Sequence, residues 1–161
     1  MKKQFLLFGL LIILFSACKK TSFNAPKQAT IDDDKIKAYI AANHIDVTKD
    51  PSTGIYYKIE TVNNSTLHPT LNDTVKVTYT GQLLNGTVFD TQNGYLISLS
   101  SVIKGWQIAI PLMTADGNQP FSRIRLIIPS ALGYGSVATS GNVVIPANSV
   151  LDFKIDLLGF Y

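Results

Sequence analysis

Apolar and polar residues alternate along three stretches of the chain, as they do in β-strands that bury one face. The stretches are 74–80, 123–128 and 151–157. The last is the clearest, because Leu151, Phe153 and the next two odd-numbered positions are apolar whereas the even-numbered positions between them are charged. The alternation therefore predicts three half-buried strands, with the charged positions of 151–157 on the face away from the core.

Shorter segments predict further strands between turns. The turn residues of 50–54 precede the β-rich segment 55–59. Asn85 and Gly86 form a pair that closes β-hairpins, so the chain is expected to return as a strand after this turn. Residues 96–99 predict another short strand.

A leading helix is predicted from apolar residues at near-helical spacing. These residues are Ile31, Ile36, Tyr39 and Ile40. We expect the helix to cover 31–43, with Thr30 as its N-cap and the carboxylates of 32–34 at its positive end. The three carboxylates could instead bind a cation, but no spacing of metal ligands follows them, so a helix start is the preferred interpretation.

A second helix is predicted to carry Trp106, the only tryptophan of the chain. The spacing of Trp106 and Ile110 favours a short helix after Ile103, and Pro111 disfavours its continuation, so this helix should be brief or kinked. Gly105 precedes the indole directly. We interpret the ring as the floor of an apolar pocket; the alternative is a core tryptophan that only fills volume.

These elements predict the α+β class, with antiparallel strands, a leading helix and one short central helix. A sheet with one apolar face needs a cover, and the helix of Trp106 is the candidate for it. The length of 161 residues allows one domain with a single core and an appendage.

The charge balance argues against nucleic acid as a partner. Lys2 and Lys3 belong to a segment that is typical of a cleaved leader. Without these two lysines the chain has 12 basic and 11 acidic residues, so its net charge is close to zero. No basic stripe remains that could follow a phosphate backbone.

The first 18 residues are typical of an export signal. Lys2 and Lys3 precede the apolar run 5–15, which is too short to span a bilayer comfortably. The segment 14–18, Leu-Phe-Ser-Ala-Cys, resembles the lipobox of bacterial lipoproteins, in which the cysteine becomes the first residue and carries the lipids. Phe15 departs from the usual leucine, and a plain secretory signal with an incidental cysteine is the alternative. Cys18 is the only cysteine and has no disulfide partner within the chain.

The sequence contains no group of residues typical of covalent catalysis, metal binding or cofactor binding. His44 and His68 are far apart and lack cysteine or paired carboxylates at metal spacing, so both are expected at the surface. There is no plausible Ser-His-Asp set and no phosphate-binding loop. We therefore expect neither a metal nor a cofactor.

Six short motifs, in order, resemble those of the FKBP-type peptidyl-prolyl cis-trans isomerases. Each motif alone is weak, but six in the family's order over residues 75–159 are a specific match. The motifs are Val77-Thr78-Tyr79-Thr80-Gly81, Gly86-Thr87-Val88-Phe89-Asp90, Val102-Ile103-Lys104-Gly105-Trp106, Leu132-Gly133-Tyr134-Gly135-Ser136, Val144-Ile145-Pro146-Ala147-Asn148 and Leu151-Asp152-Phe153.

The resemblance implies a twisted antiparallel sheet wrapped around a short helix, and nine residues around one pocket. They are Tyr79, Phe89, Asp90, Val102, Ile103, Trp106, Tyr134, Ile145 and Phe153. In the family the tryptophan lies beneath the substrate proline and the counterparts of Tyr79, Phe89 and Phe153 are aromatic walls. Catalytic roles fall to Asp90, Tyr134 and Trp106: the tyrosine hydroxyl donates to a substrate carbonyl, and the aspartate lies beside the rotating bond. The others bind substrate, Ile103 through its main-chain N–H.

The sequence departs from the family pattern at three places. The segment 91–94 is short and lacks the arginine that holds the aspartate in many members, so Asp90 must find another partner or stay solvated. The loop between Ile97 and Val102 is compact, and Pro111 stands where the helix usually continues.

The resemblance also defines the expected domains and function. We expect a signal peptide over 1–17, a lipid-anchored tether over 18–30, an extension of helix and first strand over 31–60, and the isomerase domain over 61–161. The expected activity is isomerisation of X–Pro bonds in exported proline-containing polypeptides. The alternative is an envelope chaperone or proline-binding module with little turnover. We expect a monomer that is anchored to the envelope through Cys18, in the outer membrane and facing the periplasm, because Lys19 is not the aspartate of inner-membrane retention.

Overall fold

The computed structural model describes residues 24–118, 120–140 and 143–161. Within these ranges the chain forms two α-helices, six strands and three 3-10 turns. The helices are α1 (Ala25–Asn43) and α2 (Lys104–Ala109). The strands are β1 (Thr48–Lys49), β2 (Tyr56–Thr61), β3 (Thr74–Leu83), β4 (Val88–Ser98), β5 (Ser122–Ile128) and β6 (Leu151–Phe160). The 3-10 turns are Leu99–Ser101, Ile110–Leu112 and Ser130–Leu132.

The strands make one antiparallel sheet in the order β1-β2-β5-β6-β3-β4. The predicted α+β class is therefore confirmed. Strand β4 is longer than expected, because residues 96–98, predicted as a separate strand, continue it, and residue 99 begins a 3-10 turn. The predicted turn at Asn85-Gly86 does join β3 to β4, with Gly86 at a φ of 86°.

Helix α2 covers the inner face of the sheet and forms the main core with it. Trp106 and Ala109 of α2 are buried in one cluster with apolar residues of β3, β5 and β6. A Cβ on Gly105 would lie 2.6 Å from two side-chain carbons of Ile128, so glycine lets the helix approach β5 closely. The helix ends after six residues and passes into the 3-10 turn that contains Pro111, as the proline predicts.

The outer face of the sheet, predicted as a charged face away from the core, lies beneath α1. Ile36 packs there with Tyr56, Ile127 and Val150 in a second buried cluster. Asp152, on this face, is only 2% exposed: it pairs with an arginine and accepts a hydrogen bond from α1. The sequence pattern around one strand does not reveal that a distant helix covers it.

Helix α1 begins at Ala25, six residues before the predicted start. The Asn24 side chain accepts a hydrogen bond from the Lys27 N–H at 3.3 Å, so Asn24 is the N-cap. The predicted cap, Thr30, instead donates its hydroxyl to the carbonyl of Pro26 within the helix, 3.3 Å away. Residues 25–30 of the predicted tether 18–30 thus form the first part of α1, and residues 18–23 lie outside the described residues.

No helix among the described residues is long and apolar enough to span a bilayer. The predicted leader and Cys18 lie outside those residues.

Candidate active site

An open pocket of about 260 Å³ lies between α2, β3, β4, β6 and the segment after β5. It is lined by Tyr79, Phe89, Asp90, Ile97, Ser101, Val102, Ile103, Trp106, Tyr134 and Phe153. Eight of the nine predicted residues are among them. Ile145 does not line this pocket; it is buried in the core cluster that supports it.

Two lining residues, Ile97 and Ser101, were missed from the sequence. Ile97 was assigned to a strand separate from the one that carries Asp90, and only the continuous strand β4 shows that both border one cavity. Ser101 directly precedes Val102, and this adjacency was the available signal.

Trp106 forms the floor of the pocket and is 4% exposed. Its ring meets Tyr79 and Phe153 edge-on, with centroid separations of 4.8 Å and 5.3 Å. Phe153 in turn meets Phe89 edge-on at 5.5 Å. Such contacts contribute about 0.5–1.5 kcal/mol each beyond area burial, so the four rings form a stiff apolar surface.

A side chain of α2 fixes the segment 100–103, which directly precedes the helix. The Gln107 side-chain amide donates to the carbonyls of Val102 and Ser100 at 2.8 Å and 2.9 Å. The Ile103 carbonyl accepts from the Trp106 N–H at 3.0 Å, which leaves Ile103 as the N-cap residue beside the pocket. Trp106 at the floor of the pocket and the segment 100–103 at its edge are therefore held together as one unit.

The indole N–H of Trp106 is buried and has no hydrogen-bond partner among the described residues. An unsatisfied buried donor costs about 1–3 kcal/mol.

Gly81 of β3 makes room for two aromatic walls. A Cβ at this position would lie 2.5 Å from a ring carbon of Phe153 and 2.8 Å from two ring carbons of Phe89. Any side chain would displace both rings, so glycine is required here by close approach.

Asp90, which was expected to find a partner other than arginine or to stay solvated, is held by a neighbouring phenol. The Tyr79 hydroxyl donates to its carboxylate at 2.5 Å. Burial raises the pKa of Tyr79 above its ordinary value of 10.0, and the hydrogen bond to Asp90 raises it further. The phenol thus stays protonated as the donor that orients the carboxylate.

Tyr134 enters the pocket from a turn flanked by two glycines. Gly135 has a φ of 66°, which favours glycine, and its N–H donates to the carbonyl of Ser130 at 2.8 Å. Burial raises the pKa of the Tyr134 hydroxyl, as does the charge of Asp90. Within the described residues no hydrogen bond joins this hydroxyl to another side chain, so it can donate to a ligand.

The two predicted surface histidines do not approach the pocket. His44 ends α1 in a left-handed conformation with a φ of 52°, and His68 contacts the carbonyl of Pro111 at 3.0 Å. In the described ranges no three His, Cys, Asp or Glu side chains are grouped as metal ligands would be. The lining offers apolar surface, two phenols, a carboxylate and a serine hydroxyl, with no base beside that serine to activate it.

A sequence model for FKBP-type peptidyl-prolyl cis-trans isomerases matches residues 65–158. The chain belongs to this family. A probable FKBP-type isomerase of Haemophilus influenzae is 37% identical over 150 residues, which are 90% of this chain and 58% of that protein. FkpA of Aeromonas hydrophila is 34% identical and covers 86% of this chain and 50% of its own length.

A solved structure of an FKBP-type protein has a similar fold. The crystal structure of FkpA from Escherichia coli superposes with a TM-score of 0.67 at 30% identity, over 84% of this chain and 62% of that one. The chain thus spans roughly half to three fifths of these FKBP-type relatives. Helix α1 ends at Asn43, outside the region that the family model matches.

Proposed function

We propose that this protein catalyses the cis-trans isomerisation of X–Pro peptide bonds. The observation that supports this proposal most strongly is the pocket itself, which has Trp106 as its floor, three aromatic walls and few polar groups. Rotation about the amide faces a barrier of about 18–20 kcal/mol because the C–N bond loses its double-bond character. No covalent step or proton transfer is needed, so a site that fits the twisted amide and excludes water suffices.

In this proposal the proline ring lies on Trp106, between the aromatic walls Tyr79, Phe89 and Phe153. The main-chain N–H of Ile103 and the Tyr134 hydroxyl donate to substrate carbonyls. Val102 and Ile103 complete the apolar rim, and Ile145 supports the pocket from the core. Removal of water from the amide favours the twisted state, in which the nitrogen no longer shares its electron pair with the carbonyl.

Asp90 is proposed to lie beside the rotating bond. The Tyr79 hydroxyl holds one carboxylate oxygen, which fixes the direction of the negative charge. A fixed charge stabilises a developing dipole better than a mobile one, because it needs no reorganisation during the reaction.

The pH profile tests the donor role of the phenols. Both hydroxyls have a raised pKa, so each remains protonated to a higher pH than an ordinary tyrosine. Any fall in the isomerisation rate should therefore have its midpoint above about pH 10, the ordinary pKa of a tyrosine. A fall centred below about pH 10, measured by NMR exchange on a peptide without titrating side chains, would contradict the role.

The proposed activity itself is tested by isomer exchange in a short X–Pro peptide, with and without the full-length chain in mild detergent. We expect faster exchange with an unchanged cis-to-trans ratio, since a catalyst changes rate and not equilibrium. The second candidate is a binding module with little turnover, which the absent arginine beside Asp90 favours. It predicts peptide binding without faster exchange.

We further propose that Cys18 carries lipid and anchors the protein in the bacterial envelope, preferentially the outer membrane and facing the periplasm. The supporting features are Lys2 and Lys3, the apolar run 5–15 and the small residues before the cysteine. The clients would then be exported polypeptides whose folding waits on X–Pro isomerisation, which takes about 10–100 s at 25 °C.

Replacement of Cys18 tests the anchor. When the gene is expressed in a Gram-negative bacterium, we expect the wild-type chain in the membrane fraction and Cys18→Ser among soluble or unprocessed material. Ser16→Ala, which keeps a small residue at the cleavage site, should behave as wild type. A wild-type chain that takes up no labelled palmitate, or a Cys18→Ser chain that takes up as much as the wild type, would refute lipidation, and a soluble wild type would favour a plain secretory signal.

A further inference from the structure

Helix α1 places one carboxylate against the segment that carries Tyr134. Asp32 is 1% exposed, and one of its oxygens accepts hydrogen bonds from the Ser130 N–H at 2.9 Å and the Ser130 hydroxyl at 2.6 Å. Its other oxygen accepts from the Gln28 side-chain amide at 2.7 Å. Three donors converge on this carboxylate, so it acts only as an acceptor.

Ser130 transmits this contact to the site. Its carbonyl accepts hydrogen bonds from the N–H groups of Gly133 and Gly135, at 3.1 Å and 2.8 Å. These two glycines flank Tyr134, whose hydroxyl enters the pocket. One chain of hydrogen bonds therefore runs from α1 through Ser130 to the turn that sets the position of the phenol.

Other contacts dock α1 independently of Asp32. The Tyr39 hydroxyl donates to Asp152 at 2.8 Å, and Asp33 accepts from the Tyr56 hydroxyl at 2.7 Å. Ile36 is fully buried against the sheet. Removal of the Asp32 carboxylate should thus loosen the turn while the helix stays in place.

We propose that Asp32 is a positioning residue for the isomerase reaction, acting through Ser130 to hold Tyr134 where its hydroxyl meets the substrate carbonyl. This rests on the proposed function. The residue lies outside the region matched by the family model, so the appended helix contributes to the site of the conserved domain. The glycines around Tyr134 favour this support, because they leave the turn few constraints of its own.

A double-mutant cycle tests the proposal in the full-length chain. Asp32→Ala is expected to lower kcat/KM about fivefold, since small displacements of a positioning group cost up to about 100-fold. Tyr134→Phe removes the group that Asp32 acts through. In the Tyr134→Phe background Asp32→Ala should therefore change kcat/KM by less than about twofold.

Two variants of α1 serve as matched controls. Asp34→Ala removes an exposed carboxylate from the same helix and should leave kcat/KM unchanged. Asp32→Asn keeps an oxygen that can accept from Ser130, with Gln28 turning its amide to meet the new NH₂ group, so it should recover most of the wild-type rate. In NMR spectra the amide signals of Gly133 and Gly135 should move in Asp32→Ala and not in Asp34→Ala.

The outcomes separate this inference from the proposed function. An inactive wild-type chain would refute the function, and the inference with it. An active wild type with unchanged kcat/KM in Asp32→Ala, or an equal loss in both Tyr134 backgrounds, would refute the inference alone. If Asp32→Ala does not fold, Ser130→Ala enters the cycle in its place, because it removes only the hydroxyl contact. Its expected loss of about twofold in kcat/KM must fall to no measurable change in the Tyr134→Phe background, and an equal loss in both backgrounds would refute the inference.

Discussion

Replacement of Trp106 by leucine is expected to lower kcat/KM for an X–Pro peptide about tenfold, which corresponds to about 1.4 kcal/mol of lost transition-state binding. The indole is the floor of the pocket and keeps Tyr79 and Phe153 in place through edge-on contacts. A leucine provides no flat surface for the proline ring and removes both aromatic contacts.

A core substitution away from the pocket separates this effect from lost stability. Ile124 is fully buried in the same cluster but does not line the pocket. Ile124→Val should cost about 0.5–1.5 kcal/mol of unfolding free energy without lowering kcat/KM. A wild-type exchange rate in folded Trp106→Leu would show that the pocket is assigned wrongly.

Asp152→Ala is expected to lower the free energy of unfolding by about 3 kcal/mol. The carboxylate accepts from Arg125 at 2.8 Å, the Tyr39 hydroxyl at 2.8 Å and the Gln82 amide at 2.9 Å. The Arg125 side chain is only 17% exposed, so removal of its partner leaves a largely buried cation, and the Tyr39 hydroxyl and the Gln82 amide both lose their carboxylate acceptor.

Asp156 provides the matched control on the same strand. It pairs with Arg123, whose side chain is 42% exposed and can regain water when the carboxylate is removed. Asp156→Ala should therefore cost only about 1 kcal/mol. Urea unfolding followed by Trp106 fluorescence gives both values, and equal losses would show that burial of the arginine does not decide the cost.

The strands and the pocket could be predicted from the sequence because their signals are local. Alternation marks β3, β5 and β6, and the motif around Trp106 places a helix start beside a large ring. The aromatic walls followed from the resemblance, since nothing in their spacing alone brings Phe89 near Phe153.

Contacts between distant segments could not be predicted in the same way. Asp32 and Ser130 are 98 positions apart in the sequence. From the sequence alone Asp32 was assigned to the start of a helix, whereas α1 begins at Ala25. The partner of Asp90 was missed for a related reason. Tyr79 was assigned as an aromatic wall, and the contact of its hydroxyl with Asp90 is seen only from the pairing of β3 with β4.

The most direct test of the central claim is NMR exchange of a short X–Pro peptide with the full-length chain, before and after addition of a macrolide inhibitor of FKBP-type isomerases. Faster exchange that the inhibitor abolishes is the predicted result, because the ligand and the proline would occupy the same aromatic pocket. Exchange that stays at the uncatalysed rate, or acceleration that persists with the inhibitor bound, would contradict catalysis in this pocket.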